Sequence, residues 1–218
     1  MSNTAPATAL ISRYAVVFWD FDGVIKESVA AKGEAFAQLF RPFGSEVARR
    51  VREHHDLNGG LSRFEKIPLY LQWAGVTPNE AEVSRYCQRF AQAVRHAVLE
   101  SQWVPGAREY LQYNRHRQRF VLVSATPQGE LEELLTALGA RNWFSNVFGA
   151  PTAKTAGLTA VLQTSGCEAA RALSIGDAET DYQAAMAAGV DFLLRRTAFN
   201  QALQARYSGP QCENFLYE

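Results

Sequence analysis

The sequence predicts an α/β fold in which a parallel sheet is covered by helices on both faces and is interrupted, directly after its first strand, by an all-helical insertion. Three observations carry that expectation. A short β-branched and aromatic run from Tyr14 to Phe21 closes on Asp22-Gly23, which reads as a buried strand ending in a turn. Similar apolar runs recur at Phe120–Val123, around Asn146–Phe148, at Leu173–Ile175 and at Val190–Leu194, with helical stretches between most of them, the alternation that builds a parallel sheet. Between Ser28 and about Trp103 the alternation stops and only helical patterns remain.

Within that stretch the pattern predicts helices near residues 29–41, 45–55, 62–74 and 79–100. Ser28 is placed to cap the first, Asn58-Gly59-Gly60 breaks the series in its middle, and Pro78-Asn79 opens the last. Val104-Pro105-Gly106 punctuates the return to the sheet. The expected organisation is therefore a core of residues 1–27 and 104–218 with a helical subdomain of residues 28–103. A length of 218 residues, a little above the ~100–200 of one domain, accommodates both. Neither internal repeats nor heptads occur, which removes the main support for solenoids and coiled coils.

Composition narrows the class of ligand. The 22 basic side chains offset 22 acidic ones, so the chain lacks the basic excess with which polyanion binders neutralise phosphates. No nucleic-acid partner is expected, and the ligand should be small. No segment approaches the ~18 consecutive apolar residues of a membrane span, and the opening MSNTAPATALISRY lacks the basic and apolar regions of a leader. Cys87, Cys167 and Cys212 are odd in number and far apart, which argues for reduced thiols and a cytoplasmic location.

Four strand ends carry chemistry. In Asp20-Phe21-Asp22-Gly23 the two acids are two residues apart, so they share a side of the strand while Trp19 and Phe21 take the other, and Gly23 lets main chain approach a ligand. The run Val121–Val123 delivers Ser124, Ala125 and Thr126 to a helix start, where free N–H groups and a hydroxyl can hold phosphate oxygens. Lys154 follows a third strand and is one of only four lysines, beside Lys26, Lys32 and Lys66, against 18 arginines. A compact ammonium does work that a planar guanidinium does poorly. Ser174-Ile175-Gly176-Asp177 ends a fourth strand and is followed by Glu179 and Asp181. Each pattern alone also has a plain reading: an Asp-Gly turn, a Ser or Thr cap, a chance lysine, acids offsetting a helix dipole.

Taken as a set and in this order, Asp-x-Asp-Gly, Ser after an apolar strand, Lys, and Gly-Asp-x-x-x-Asp resemble the haloacid dehalogenase superfamily of phosphatases. An insertion directly after the first motif resembles the helical cap of its subclass one, which includes β-phosphoglucomutase, phosphonoacetaldehyde hydrolase and phosphoglycolate phosphatase. The resemblance implies a Rossmann-like core and a magnesium-dependent phosphohydrolase that removes phosphate from a small phosphorylated metabolite through an aspartyl-phosphate. It implies Asp20 as nucleophile, Asp22 as acid and base, and Ser124 and Lys154 as holders of the phosphoryl group, with Gly23 and Ala125 beside it. Asp20, Asp22 by its carbonyl, Asp177 and, in an outer role, Asp181 are the implied metal contacts, with Glu179 a weaker candidate. Asp22 also sets the chain apart from carbon–halogen cleavage, because the dehalogenases lack an acid there. Its carboxyl is expected to be raised by Asp20 and burial.

The insertion should choose the substrate. Asn58-Gly59-Gly60-Leu61-Ser62-Arg63 resembles the Gly-x-Ser-Arg loop of β-phosphoglucomutase-like caps, which implies that Arg63 reaches a substrate anion, although a surface arginine beside a helix cap fits equally. Lys32 is a second substrate candidate. A phosphosugar mutase and a carbon–phosphorus hydrolase, which needs a Schiff-base lysine such as Lys32, Lys66 or Lys26, are the alternative activities; a non-catalytic phosphate-binding module is a third. His54, His55, His96 and His116 are read as solvated, and Trp73, Trp103 and Trp143 as packing residues.

Overall fold

In the computed structural model, which describes residues 6–217, one six-stranded parallel sheet runs in the order β3-β2-β1-β4-β5-β6. The strands are β1 (Val16–Trp19), β2 (Arg119–Pro127), β3 (Asn146–Ala150), β4 (Ala172–Gly176), β5 (Asp191–Arg195) and β6 (Gln211–Cys212). Residues 1–5, on which part of the leader expectation rests, lie outside the described residues. Among the described residues no helix is long and apolar enough to cross a membrane.

Side-chain parity divides the sheet into two cores. Val17, Trp19, Phe120, Leu122, Leu173 and Ile175 point to one face and join α6 (Ala107–Asn114) and α7 (Gln128–Ala137). Val16, Phe18, Val121, Val123, Phe192 and Leu194 point to the other, against α8 (Lys154–Ser165), α9 (Glu179–Ala188) and α10 (Gln201–Arg206). Strands buried on both faces have no reason to alternate polar with apolar residues, which is why they read as continuous apolar runs. Trp19 lies at the centre of the first core, its ring 5.1 Å from Phe215 and 6.0 Å from Tyr110 and Phe120. Among the described residues its buried indole N–H has no partner. Trp19→Phe should therefore stay within about 1 kcal/mol of the parent in urea unfolding, because no hydrogen bond is lost, whereas Trp19→Ala should cost about 3–5 kcal/mol.

Between β1 and β2 the chain forms α2 (Val29–Phe40), α3 (Ser45–Leu57), α4 (Arg63–Trp73) and α5 (Glu80–Glu100), in the places the periodicity predicts. Phe36 of α2 stacks on Phe90 of α5 with ring centroids 3.7 Å apart, and Phe40 meets Tyr70 and Tyr86 at 5.6 and 5.3 Å. The chain leaving β1 and the chain returning to the sheet pair with each other: Glu27 N–H donates to the Gln102 carbonyl at 2.9 Å and Val104 N–H to the Ile25 carbonyl at 3.0 Å, an antiparallel bridge centred on Lys26 and Trp103. The outgoing strand is tied to the sheet by the buried Arg195, which bonds the Glu27 carboxylate and, at 3.1 Å, the Gly23 carbonyl. The returning strand is tied where Phe215 N–H meets the Pro105 carbonyl at 2.8 Å.

Two elements were not foreseen, α1 (Ala7–Ile11) and β6. Ser28 also departs from expectation. It occupies the N-cap position of α2, but its hydroxyl makes no cap and instead donates to Asp22 at 2.5 Å. Its backbone, at φ −102° and ψ −8°, lacks the extended conformation from which an N-cap oxygen accepts first-turn N–H groups, and the hydroxyl hydrogen is donated to Asp22.

Candidate active site

The site lies at the carboxyl ends of β1, β2 and β4, where chain order reverses on either side of β1 and open α/β sheets leave a crevice. Asp20 is the first residue past β1, and its N–H still extends the ladder to the Ile175 carbonyl at 3.0 Å. Its parity is that of Val16 and Phe18, so it faces the layer of α8 and α9, whose first turns supply Lys154 and Asp181. Lys154 Nζ lies 3.1 Å from Asp20 and 2.5 Å from Asp181. An ammonium at a helix N-terminus opposes the dipole, and the two carboxylates offset that cost. Asp177 follows β4, and oxygens of Asp20, Asp177 and Asp181 all lie within 4.8 Å of one another. Gly23 makes this approach possible: it has φ of 74°, and a Cβ there would stand 2.1 Å from an Asp177 carboxylate oxygen. Its N–H is committed to the Lys26 carbonyl at 2.7 Å.

Three buried carboxylates share one ammonium, and the electrostatics follow. Burial, then the charge of Asp181, pushes the Asp20 carboxyl up to about 7 against the pull of Lys154. Burial with Asp20 and Asp181 raises Asp177 well above the usual carboxylate range. Burial alone would lower Lys154, yet Asp181 and Asp20 raise it, so the ammonium is fixed. Three carboxylates against one ammonium leave two negative charges in excess, and a cluster of hard oxygen donors with that excess fits a divalent cation.

Asp22 stands apart from that cluster. Its carboxylate accepts from Ser28, from Lys32 and, at 3.2 Å, from the Thr126 hydroxyl; Lys32 Nζ also bonds Thr126 at 2.9 Å. The expected upward shift is reversed. Burial does press the Asp22 carboxyl upward, but the Lys32 ammonium and the three donors outweigh it and hold the group below its ordinary value. The partner that decides the sign is ten residues ahead on α2, and a second comes from β2. The β2–β3 register shifts between Val123 and Pro127, and that irregularity is the stretch that carries Ser124, Ala125 and Thr126. Ser124 is buried and accepts the Thr126 N–H at 3.2 Å, while Ala125 and Thr126 line a cavity with Asp22 and Lys32. Thr126 is a further functional candidate, marked in the sequence only by a hydroxyl two residues beyond Ser124.

Arg63 lines the same cavity but is already paired. Its guanidinium meets both oxygens of Glu130 on α7, at 2.8 and 2.6 Å, and lies 4.7 Å from the centre of the Phe90 ring. The pair joins the helical insertion to the sheet layer, with Arg63 4% and Glu130 33% exposed. Glu130→Ala leaves a buried guanidinium without its anion and should cost about 2 kcal/mol, less than the ~3–5 kcal/mol of a fully buried pair because Glu130 is partly hydrated. The double change Arg63→Met with Glu130→Leu should recover most of that loss in denaturant midpoint.

Two histidines are not solvated: His54 is half-buried, its Nδ1 2.9 Å from the Tyr70 hydroxyl and its ring against Trp73. His55 is 3% exposed, because it falls four residues after the buried Val51 on the inner face of α3. Its Nδ1 lies 3.1 Å from Lys66 Nζ.

Comparison with known proteins places this geometry. The chain is 26% identical over 185 residues to the phosphoglycolate phosphatase of Pseudomonas savastanoi, covering 80% of this chain and 66% of that protein. It is also 26% identical over 194 residues to the phosphoglycolate phosphatase of Pseudomonas fluorescens, covering 85% and 70%. It thus spans about two thirds of the length of these relatives. In fold it is similar to CbbY from Rhodobacter sphaeroides in complex with xylulose-1,5-bisphosphate, with a TM-score of 0.74 at 16% identity over 93% of this chain and 95% of that one. Residues 17–194, from inside β1 to the end of β5, match the haloacid dehalogenase-like hydrolases, and the chain belongs to that family.

Proposed function

We propose that this chain is a phosphohydrolase that uses a divalent cation, magnesium, to remove phosphate from a small phosphorylated metabolite through an aspartyl-phosphate on Asp20. The observation that carries the reading is the division of labour between two acids two residues apart. Asp20 sits with Lys154 among crowded carboxylates, and Asp22 sits outside them in a separate set of donors. A binding module has no use for that separation. The phosphatase names of the curated relatives support the same class.

In this reading an Asp20 carboxylate oxygen attacks phosphorus, and the bond from phosphorus to the substrate oxygen breaks. Asp22 gives that oxygen its proton, and the alcohol leaves. Asp22 then takes a proton from water, whose oxygen attacks the phosphorus of the aspartyl-phosphate, releasing inorganic phosphate and restoring Asp20. Lys32 keeps Asp22 as a carboxylate, the form needed for the second step; for the first, Lys32 turns toward the incoming anion and Asp22 takes up a proton. Lys154 and Ser124 hold the transferring group, with main chain at Gly23 and Ala125 beside it. Asp20, Asp177, Asp181 and the Asp22 carbonyl would hold the cation, which supplies neutralisation of phosphoryl charge. Residues 28–103 act as a cap over a core of residues 1–27 and 104–218, and exclude water from the site.

The test is phosphate release from a panel of phosphorylated metabolites with magnesium and with chelator. Magnesium-dependent release from one or more compounds is the expected result. No release from any member would remove this reading.

A further inference from the structure

We propose that Lys66, held by His55, is the residue that receives a carboxylate on the leaving group, so that the preferred substrates are phosphomonoesters of hydroxy acids. The proposal rests on the phosphohydrolase reading above and adds the class of alcohol that leaves.

Lys66 is 2% exposed and lines the narrow cavity, about 30 Å³, that also touches Asp22, Lys32, Arg63 and Thr126. Its Nζ has one hydrogen-bonding partner among the described residues, His55 Nδ1 at 3.1 Å. The direction of that bond follows from the other ring nitrogen. His55 Nε2 lies 3.3 Å from the Val29 carbonyl, which can only accept, so Nε2 carries the hydrogen and Nδ1 accepts from Lys66. Burial, then Lys66 itself, holds His55 well below its ordinary value and keeps the ring neutral. One of three ammonium N–H groups is therefore used, and the remaining two are buried beside the cavity without an acceptor.

The charges around the cavity leave the same remainder. Lys32 is matched by Asp22 and Arg63 by Glu130. Lys66 alone among these cations has no carboxylate in contact, and its nearest aromatic neighbour, Phe36, is 5.8 Å away. Burial and then Lys32 bring Lys66 down to about 7, and a carboxylate placed against it would raise it again. The sheet side of the site is short of positive charge and the helical side is short of negative charge. A phosphate ester bearing a carboxylate supplies the second.

The probes are 2-phosphoglycolate and ethyl phosphate, which differ by exchange of the carboxylate for a methyl group. The wild type should favour 2-phosphoglycolate in kcat/KM, and Lys66→Met should lower that preference about ten- to a hundred-fold, chiefly through KM, as expected for loss of a charge-assisted bond. Lys66→Arg should restore part of it. Thermal unfolding identifies a variant that does not fold, in which case Lys66→Arg and His55→Gln are compared instead, each with a smaller loss of preference. A preference unchanged in Lys66→Met while both rates fall together would make Lys66 a packing residue and overturn the proposal. A borohydride-trapped adduct of phosphonoacetaldehyde on Lys66 would overturn it in favour of an amine nucleophile. If the wild type hydrolyses neither ester, the panel of phosphorylated metabolites decides the phosphohydrolase reading separately, and calorimetric binding of 2-phosphoglycolate decides the subsite. Binding at least tenfold tighter to wild type than to Lys66→Met sustains it, and equal or absent binding overturns it.

Discussion

Asp20→Asn is expected to lower magnesium-dependent phosphate release by at least about 10⁴-fold, in line with removal of a covalent nucleophile whose partners remain in place. The substitution changes one oxygen to nitrogen, and the Phe21 N–H that bonds Asp20 at 2.8 Å still finds the amide oxygen. The fold should therefore persist. Its metal-free stability should rise, because Asp20 is one of three mutually repelling buried carboxylates while Lys154 retains Asp181. Lost turnover with an equal or higher Tm is the signature sought. A variant with activity within tenfold of the parent would place the nucleophile elsewhere.

Chelation of the divalent cation is the second large effect, and the pH dependence of the metal-free chain gives it a sign. Asp20 is raised from 3.8 to about 7 and Asp177 is raised well above its ordinary value, so between about pH 4 and 7 the folded chain binds more protons than the unfolded chain. Stability then falls as pH rises through that window. Asp22 has the opposite shift, but its contribution is lost only as pH falls below about 4, outside the window. In chelator, Tm should rise by several degrees from pH 7.5 to 5.5, each kcal/mol being worth about 2–4 °C at this size. Saturating magnesium should stabilise the chain most at the upper pH, where the carboxylates are ionised, by about 2.7 kcal/mol at a hundredfold excess over Kd. The pH trend should flatten, and activity lost in chelator should return. A Tm that falls from pH 7.5 toward 5.5 without metal would show that these carboxylates do not repel one another.

How much of this could be read from the chain depends on where the deciding partner lies. The sheet strands were legible because burial on both faces leaves uninterrupted apolar runs, and Asp20, Lys154 and Asp177 were legible because each follows such a run. The four inserted helices were legible from periodicity. By contrast β6 is two residues, Gln211 and Cys212, too short to have a period, and α1 spans only Ala7–Ile11. The charge state of Asp22 was misjudged because its partners, Lys32 and Thr126, are 10 and 104 residues away in sequence. His55 sits in a run of charged residues, and only its four-residue spacing from Val51 marks it as inward. Ser28 stands where a cap belongs, and a carboxylate six residues earlier takes its hydroxyl.

The paired connections beside Lys26 and Trp103 have a mechanical consequence. Two chains leaving the sheet separately would let the helical layer swing, twist and slide. Here they are hydrogen-bonded to each other and pinned at their lower ends, one through Arg195 and one through Phe215. A short two-stranded ribbon flexes readily across its face and resists shear within its plane. Any displacement of the layer that carries Lys32, Arg63 and Lys66 should therefore be a rocking across that ribbon, and the bridge fixes the register in which these side chains stand over Asp22.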